Sequence, residues 1–168
     1  MYRVSPAVAV APALGADLPL RPYQAAALAD LHDRFRRGER RILIVAPTGS
    51  GKTVLAAHML VRALERGKRC LFLAHRRELL GQAADTLARL GVRSSILLAD
   101  DPRYRLEAPM QVASVQTLIR RSVGWSPDLV VVDEAHRALA KSYRAVLDRW
   151  PNAWTLGLTA TPWRLAGR

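Results

Sequence analysis

The chain has 168 residues, of which half are hydrophobic, and it carries a formal net charge of +12. This length predicts one domain with a proper core, and no uninterrupted apolar stretch is long enough to predict a membrane-spanning segment. A pI near 11.2 favours a polyanionic partner such as nucleic acid, although the scarcity of lysine leaves an arginine-rich genomic composition as the alternative explanation.

The two ends of the predicted domain are set by composition. Residues 1–18 are rich in Ala, Val and Pro and lack the basic and apolar blocks of a signal peptide, so they predict a flexible leader. The domain itself is expected to span 19–168. The lone Cys70 lies in an apolar run, which predicts a buried side chain in a reducing, cytoplasmic compartment.

Apolar runs and helical periods alternate along the chain. Helical periodicity predicts four helices: one that begins at Pro22, and three that cover Val54–Glu65, 79–90 and 140–149. Short, continuously apolar runs, typical of parallel strands covered on both faces, lie at 42–45, 70–74, 96–98, 129–132 and 154–158. The segment from Asp100 to Pro109 predicts a surface loop. This order predicts a doubly wound α/β domain with ligands at the carboxyl ends of the strands.

A phosphate-binding loop is predicted between the first strand and the next helix, in Ala46-Pro-Thr-Gly-Ser-Gly-Lys-Thr53. A strand-to-helix turn presents converging backbone N–H groups to phosphate at the positive end of a helix. Lys52 is expected on the β- and γ-phosphates and the Thr53 hydroxyl on Mg²⁺. The predicted nucleotide contacts are Thr48, Gly49, Ser50, Gly51, Lys52 and Thr53. An ordinary glycine-rich loop is the alternative.

The apolar run Leu129–Val132 ends in two consecutive carboxylates, Asp133 and Glu134. Burying unpaired charge is costly, and bound Mg²⁺ would explain why a strand stops at two acids. Asp133 is expected to hold the metal, largely through water, and Glu134 to orient and deprotonate the water that attacks the γ-phosphate. Lys52, Asp133 and Glu134 are therefore the predicted catalytic residues. The alternative is that the two acids cap the following helix.

Together, the loop Ala46–Thr53 and Asp133-Glu134-Ala135-His136 resemble the first motor domain of superfamily 2 helicases and translocases. Further blocks similar to that family, in the right order, are Leu20–Gln24, Ala74–Leu80, Val112–Leu118 and Gly157–Arg164. The sequences of these blocks resemble most those of RadD-like repair helicases and of the motor subunits of type III restriction enzymes. The resemblance implies a RecA-like P-loop NTPase fold with a mostly parallel sheet flanked by helices, and an ATP-dependent motor acting on DNA rather than RNA.

The resemblance also implies roles for residues in these blocks. Gln24 would read the adenine edge. The residues implied in nucleic-acid binding are Arg76, Ser114 and Thr117, and those implied in coupling hydrolysis to strand movement are His136, Thr159 and Thr161. Arginines near the start of a predicted helix oppose its macrodipole, which a phosphate contact would explain, with a solvated turn as the alternative. Arg149, outside the blocks, is expected to contribute much less to nucleic-acid binding.

Members of this family carry a second RecA-like domain whose arginines complete the ATP site. Because the chain ends at Arg168, directly after the last block, we expect that domain to be absent and to be supplied in cis or in trans. A missing arginine finger typically costs about 10³–10⁵ in rate, so nucleotide binding with poor hydrolysis is expected. A small phosphotransferase and a non-catalytic nucleotide-binding remnant are the alternatives, and Glu134 argues against the first.

Overall fold

The computed structural model describes residues 19–74, 77–98, 101–105, 107–121, 123–135 and 141–160. The strands in these ranges are β1 (Arg41–Val45), β2 (Cys70–Ala74), β3 (Ser95–Ile96), β4 (Met110–Ser114), β5 (Leu129–Val132) and β6 (Trp154–Thr159). The helices are α1 (Pro22–Arg36), α2 (Lys52–Glu65), α3 (Leu80–Arg89), α4 (Val115–Arg120) and α5 (Lys141–Leu147), with a 3₁₀ turn at Arg77–Leu79. The predicted leader lies outside the described residues.

The strands form one sheet in the order β1-β6-β5-β2-β4-β3, and every neighbouring pair is parallel. Parallel strands need a crossover connection, which a helix provides between β1 and β2, β2 and β3, β4 and β5, and β5 and β6, whereas a loop joins β3 to β4. All strands therefore end at one side of the sheet, the carboxyl edge, and begin at the other, the amino edge. The predicted parallel α/β architecture is confirmed.

Two apolar layers, one on each face, hold the sheet. Phe72 of β2 packs into the layer under α1, α2 and α3, which contains Leu31, Leu60 and Leu87. Its neighbour Leu71 points the other way, into a second layer that contains Leu118 of α4. Strands buried on both faces account for the continuous apolar runs in the sequence.

The described residues contain an element pair that periodicity did not predict, β4 followed by α4. Gln111 interrupts the apolar pattern of β4, yet it is fully buried. Its amide donates to the carbonyls of Arg105 at 2.7 Å and Ala108 at 3.2 Å, so hydrogen bonds to the preceding loop offset the cost of burial. The described part of the 100–109 loop has neither helix nor strand, as predicted.

Burial at the sheet explains two further features. The thiol of Cys70 is completely buried, and this burial raises its pKa to about 12, which leaves it protonated and unreactive. Strand β1 lies at the border of the sheet, where Leu43 and Val45 stay 44% and 45% exposed. Among the described helices, none combines the length and hydrophobicity that a bilayer crossing needs.

Candidate functional site

The carboxyl edge brings the predicted nucleotide residues together. Val45, at the end of β1, is in register with Thr159 of β6, and Val132 of β5 is in register with Gly157. The loop that follows β1 starts against β6, because Ala46 donates its N–H to the Thr159 carbonyl at 3.0 Å. The parallel topology thus places the phosphate loop, the acidic pair after β5 and the end of β6 side by side.

Two glycines shape the phosphate loop in different ways. Gly49 and Gly51 have φ angles of +82° and +83°, a left-handed conformation that side chains rarely adopt. A Cβ at Gly51 would lie 2.1 Å from Gln24 Nε2, whereas a Cβ at Gly49 would meet no atom within 4 Å. A side chain at position 51 would therefore strain the backbone and clash with Gln24. A side chain at position 49 would strain the backbone only, because the space beside Gly49 is open.

The loop has the polar chemistry of an anion site. Lys52 sits in the first turn of α2, where a cation opposes the helix dipole. Its ammonium donates to the loop carbonyls of Ala46 at 2.6 Å and Pro47 at 2.8 Å. The Ser50 hydroxyl is buried without a hydrogen-bond partner among the described residues. A bound phosphate would supply the negative charge and the acceptors that this loop calls for.

Helix α1 is tied to the phosphate loop through its first turn. The buried amide of Gln24 accepts the Arg21 N–H at 2.8 Å and donates to the Ser50 carbonyl at 3.2 Å. Tyr23 adds a hydroxyl bond to the same carbonyl at 2.8 Å, a contact that sequence reasoning missed although Tyr23 adjoins Gln24. Adenine reading by Gln24 stays a prediction, because both ends of its amide hold protein groups in this structure.

The acidic pair after β5 has two distinct environments. Asp133 is partly buried, and this burial, together with the negative charge of Glu134, raises its pKa, while the Glu134 N–H bond and the Lys52 charge act in the opposite sense. Glu134 is exposed and adopts a φ of +52°, an outlier for a residue with a side chain. Such strain is found most often at functional sites, where the surrounding structure maintains it.

The residues at this edge fit a magnesium ion. A carboxylate whose ionised form burial destabilises, as at Asp133, is stabilised by a divalent cation. No group of three or more acidic, histidine or cysteine side chains is clustered within the described ranges. Few protein ligands suit Mg²⁺, which usually takes one or two from the protein, with waters and substrate phosphates completing its octahedron. Thr53 and Asp133 would supply them.

A second surface at the carboxyl edge follows β2 and β4, whose ends Ala74 and Ser114 are in register. Ser114 is fully buried and caps α4, accepting the Thr117 N–H at 3.1 Å, and the two hydroxyls lie 2.9 Å apart. Thr117 is partly exposed. Beside it, an open groove of about 570 Å³ is lined by Arg77, Glu78, Leu79, Gln116 and Arg120.

The remaining predicted residues divide into two groups. Thr159 is buried at the carboxyl edge, with 1% of its surface exposed. Arg76, His136 and Thr161 lie outside the described residues, so their roles stay predictions. Arg149 proves to be structural, because its guanidinium donates to the carbonyls of Leu118, Ile119 and Arg121 at the end of α4. It is therefore unsuitable as a neutral control for nucleic-acid binding.

Comparisons with known proteins agree with this arrangement. The family model described as "Type III restriction enzyme, res subunit" matches residues 17–164. The chain is 34% identical over 143 residues to the putative ATP-dependent helicase IRC3 of Saccharomyces cerevisiae, covering 78% of this chain and 21% of that protein. It is 32% identical over 181 residues to the type I restriction enzyme EcoKI endonuclease subunit of Escherichia coli, covering 87% and 15%.

A solved structure gives the same result at the level of the fold. The helicase domain of Pyrococcus furiosus Hef superposes with a TM-score of 0.67 and 29% sequence identity, over 88% of this chain and 34% of that one. The matched region spans about a quarter or less of the length of the curated relatives. The similarity thus concerns one domain of larger proteins.

Proposed function

Because the chain belongs to the type III restriction enzyme res subunit family, within the superfamily 2 helicase motors, we propose that it is the ATP-binding half of a DNA-dependent ATPase. The observation that carries the proposal is the meeting of the phosphate loop and the Asp133–Glu134 pair at one edge, with the Lys52 charge close enough to act on Asp133. The family membership leaves no role for the phosphotransferase alternative.

The loop residues would bind and orient the nucleotide. The backbone N–H groups of the loop would donate hydrogen bonds to phosphate oxygens. The Lys52 ammonium would exchange its present bonds to loop carbonyls for bonds to the phosphates, and Thr53 and Asp133 would hold Mg²⁺. The ion, when bound, neutralises charge on the phosphates. Gln24 would read the adenine base by releasing one of its present bonds. If Gln24→Ala leaves the ratio of ATP to GTP affinity unchanged, this base assignment is wrong.

Glu134 would orient the attacking water and accept its proton. Its side chain is exposed and belongs to the turn directly after β5, at the carboxyl edge of the sheet. Arginines of a second RecA-like domain, supplied in cis or in trans, would complete the site. ATP binding would then close the two domains, and hydrolysis would release the nucleic acid.

The groove beside Thr117 would contact the DNA backbone. Arg77 and Arg120 line it, and Gln116 offers a neutral hydrogen-bonding group. Contacts to phosphate carry no sequence information, so binding should be insensitive to sequence and fall steeply with salt. The similarity to subunits of restriction enzymes supports DNA rather than RNA as the nucleic acid.

The central experiment compares ATP turnover with and without single-stranded DNA, in the chain alone and with a candidate second RecA-like domain added. We expect DNA to stimulate turnover, most strongly with the second domain present. Tight ATP binding without turnover under every condition would instead identify a non-catalytic remnant. Equal stimulation by single-stranded RNA would contradict the DNA assignment while leaving the ATPase assignment intact.

A paired substitution tests the groove. Arg120→Ala should reduce affinity equally for unrelated single-stranded sequences and make the salt dependence shallower by about one contact. Arg93→Ala is the matched control, because Arg93 is exposed, has no side-chain partner among the described residues and lies at the amino edge before β3. An equal loss in the two variants would mean that the charge acts diffusely and that the groove is not a binding site.

A further inference from the structure

A second cavity lies at the amino edge of the sheet, which is the edge opposite the phosphate loop. It is open to solvent, has a volume of about 920 Å³, and is bordered by the last turns of α1 and α2 and by the starts of β5 and β6. Such a volume is in the range of small-molecule and cofactor sites. We refer to it as the basic cleft, because its charged lining consists of Arg36, Arg62, Arg66 and Lys68 against Asp33 and Asp128.

Three of the four cations of the cleft act on one imidazole, that of His32. Arg62 lies 3.2 Å from His32 Nε2, which accepts its hydrogen bond when neutral. Burial lowers the His32 pKa, and the charges of Arg62, Arg66 and Arg36 lower it further, opposed by Asp33. Side chains from α1 and from the end of α2 therefore superimpose their positive fields at the same point inside the cleft.

Two of these cations lack a carboxylate partner. Arg36 is bonded to Asp33, and Lys68 lies 3.2 Å from Asp128. Within the part of the chain that the structure describes, Arg62 is bonded to the imidazole of His32 and Arg66 has no ion pair. The negative end of α2 favours cations at its last turn, but it does not explain why arginines of two helices face one cavity.

An aromatic wall completes the cleft beside these cations. Phe35 and Trp154 both line it and pack edge to face, with ring centroids 5.1 Å apart. Arg40 lies 4.9 Å over the Trp154 ring and adds a cation at the same border. Partly exposed aromatic rings next to guanidinium groups that lack a carboxylate partner are the combination that binds single-stranded nucleic acid, through stacked bases and neutralised phosphates.

We propose that the basic cleft is a second nucleic-acid contact, which holds the phosphodiester backbone of a single strand on Arg62 and Arg66 and a base against Trp154 and Phe35. This contact lies at the end of the sheet away from both the phosphate loop and the groove beside Thr117. It goes beyond the proposed motor function, because it needs neither ATP nor the acidic pair at the carboxyl edge.

The test is a titration of the chain with a fluorescent oligothymidylate of about 10 nucleotides at several salt concentrations. The variant is Arg62→Ala/Arg66→Ala. Its matched control is Arg93→Ala/Arg144→Ala, which removes the same charge from exposed arginines that have no side-chain partner among the described residues. We expect the salt slope of the cleft variant alone to become shallower by about 1.4, from two contacts at about 0.7 each on single strands.

Two measurements keep the result specific to the cleft. The His32 ring resonance should shift during the titration, and thermal melting with ATP titration should show that the cleft variant is folded and binds nucleotide normally. Arg62→Lys/Arg66→Lys, which keeps the charge, should retain most of the affinity. Equal slope changes in the cleft and control variants, or an unmoved His32 resonance, would overturn the proposal.

The class of ligand is decided by competitors. Thymidine monophosphate and inorganic polyphosphate carry the base and the charge separately. We expect each of them to shift the His32 resonance at much higher concentration than the oligothymidylate does. Saturation by polyphosphate at the same phosphate concentration would show a general polyanion site, and saturation by the mononucleotide at equal concentration would show a small-molecule site; either would contradict the nucleic-acid assignment.

Discussion

The two edges of the sheet hold positive charge by different means. At the carboxyl edge the charge belongs to the backbone of a strand-to-helix turn, which left-handed glycines shape and one lysine supplements. At the amino edge it belongs to arginine side chains in or directly after the last turns of α1 and α2. The first arrangement tolerates few residue types at each position, whereas the second needs only cations on neighbouring surfaces.

This difference determines how a substitution should act. A change at the carboxyl edge alters the backbone path or a group that meets the reacting phosphate, so its effect should be large and specific for nucleotide. A change at the amino edge removes one contact among several, so its effect should be smaller and graded with salt. Equivalent substitutions at the two edges should therefore differ in the size of their effect and in its salt dependence.

The largest effect is expected from Glu134→Gln. The amide keeps the shape of the side chain but cannot accept the proton of the attacking water, and general-base catalysis typically contributes about 10²–10⁴ in rate. Single-turnover hydrolysis with protein in excess should fall by that factor, while MgATP affinity stays within about twofold. Unchanged hydrolysis would mean that Glu134 serves as a helix cap and that its strained φ has no catalytic role.

Lys52→Ala should weaken ATP binding by about 100-fold, since a charged hydrogen bond to phosphate is worth about 1.5–3 kcal/mol. Calorimetry measures this loss, and circular dichroism verifies the fold. The matched control is Lys68→Ala in the basic cleft, where the lysine is paired with Asp128. It should leave ATP affinity unchanged. Equal losses at the two edges would remove the distinction between a nucleotide site and general attraction of anions.

Gly49 and Gly51 offer an internally controlled test, in which the expected difference between the two variants is about 2 kcal/mol. Because their φ angles are nearly equal, replacing either by alanine should cost about 1–2 kcal/mol of backbone energy. Gly51→Ala must also displace the Gln24 amide, breaking its bonds to Arg21 and Ser50 at about 1 kcal/mol each. Denaturant unfolding should show the greater loss for Gly51→Ala. Equal losses would show that Gln24 moves aside freely.

Much of the carboxyl edge could be predicted from the sequence, because its determinants are local. The phosphate loop follows β1 directly and contains its two glycines, its lysine and its threonine within five residues, so it can be predicted without any tertiary contact. The Asp133–Glu134 pair could be placed beside it because parallel strands end at one edge. What the sequence did not reveal is the structural contact of Gln24, whose bond to Ser50 joins residues 26 positions apart.

The amino edge could not be predicted, because nothing in the sequence places Arg62 next to His32 or Trp154 next to Phe35. Their proximity depends on how α1 and α2 pack over the sheet. The same limit applies to β4, whose apolar pattern is interrupted by Gln111, a residue that is buried because loop carbonyls accept its hydrogen bonds. It also applies to Arg149, whose guanidinium donates to carbonyls at the end of α4. Long-range hydrogen bonds decide these cases, and no periodicity records them.

The smallest predicted effect compares one carboxylate from each edge by its pH dependence. In the metal-free chain the Asp133 pKa is raised, chiefly by burial, so its ionised form destabilises the fold. Asp133→Asn should therefore raise the melting temperature above the Asp133 pKa. That gain should fade as the pH falls from the raised value towards the ordinary aspartate range, because protonation relieves the wild type.

Asp128 provides the opposite case. Burial raises its pKa, but the Arg69 N–H and the Lys68 ammonium outweigh burial and lower it overall. Asp128→Asn should lower the melting temperature at neutral pH, and the deficit should shrink as the pH falls from the ordinary aspartate range through the lowered value. Adding MgATP should give Asp133→Asn a lower melting temperature than the wild type, which reverses the order found without the ion, because the ion stabilises a carboxylate that the fold otherwise penalises. For Asp128→Asn the order should not change. Parallel pH profiles in the two variants, or an unchanged order with MgATP, would show that Asp133 is an ordinary partly buried acid and not a metal ligand.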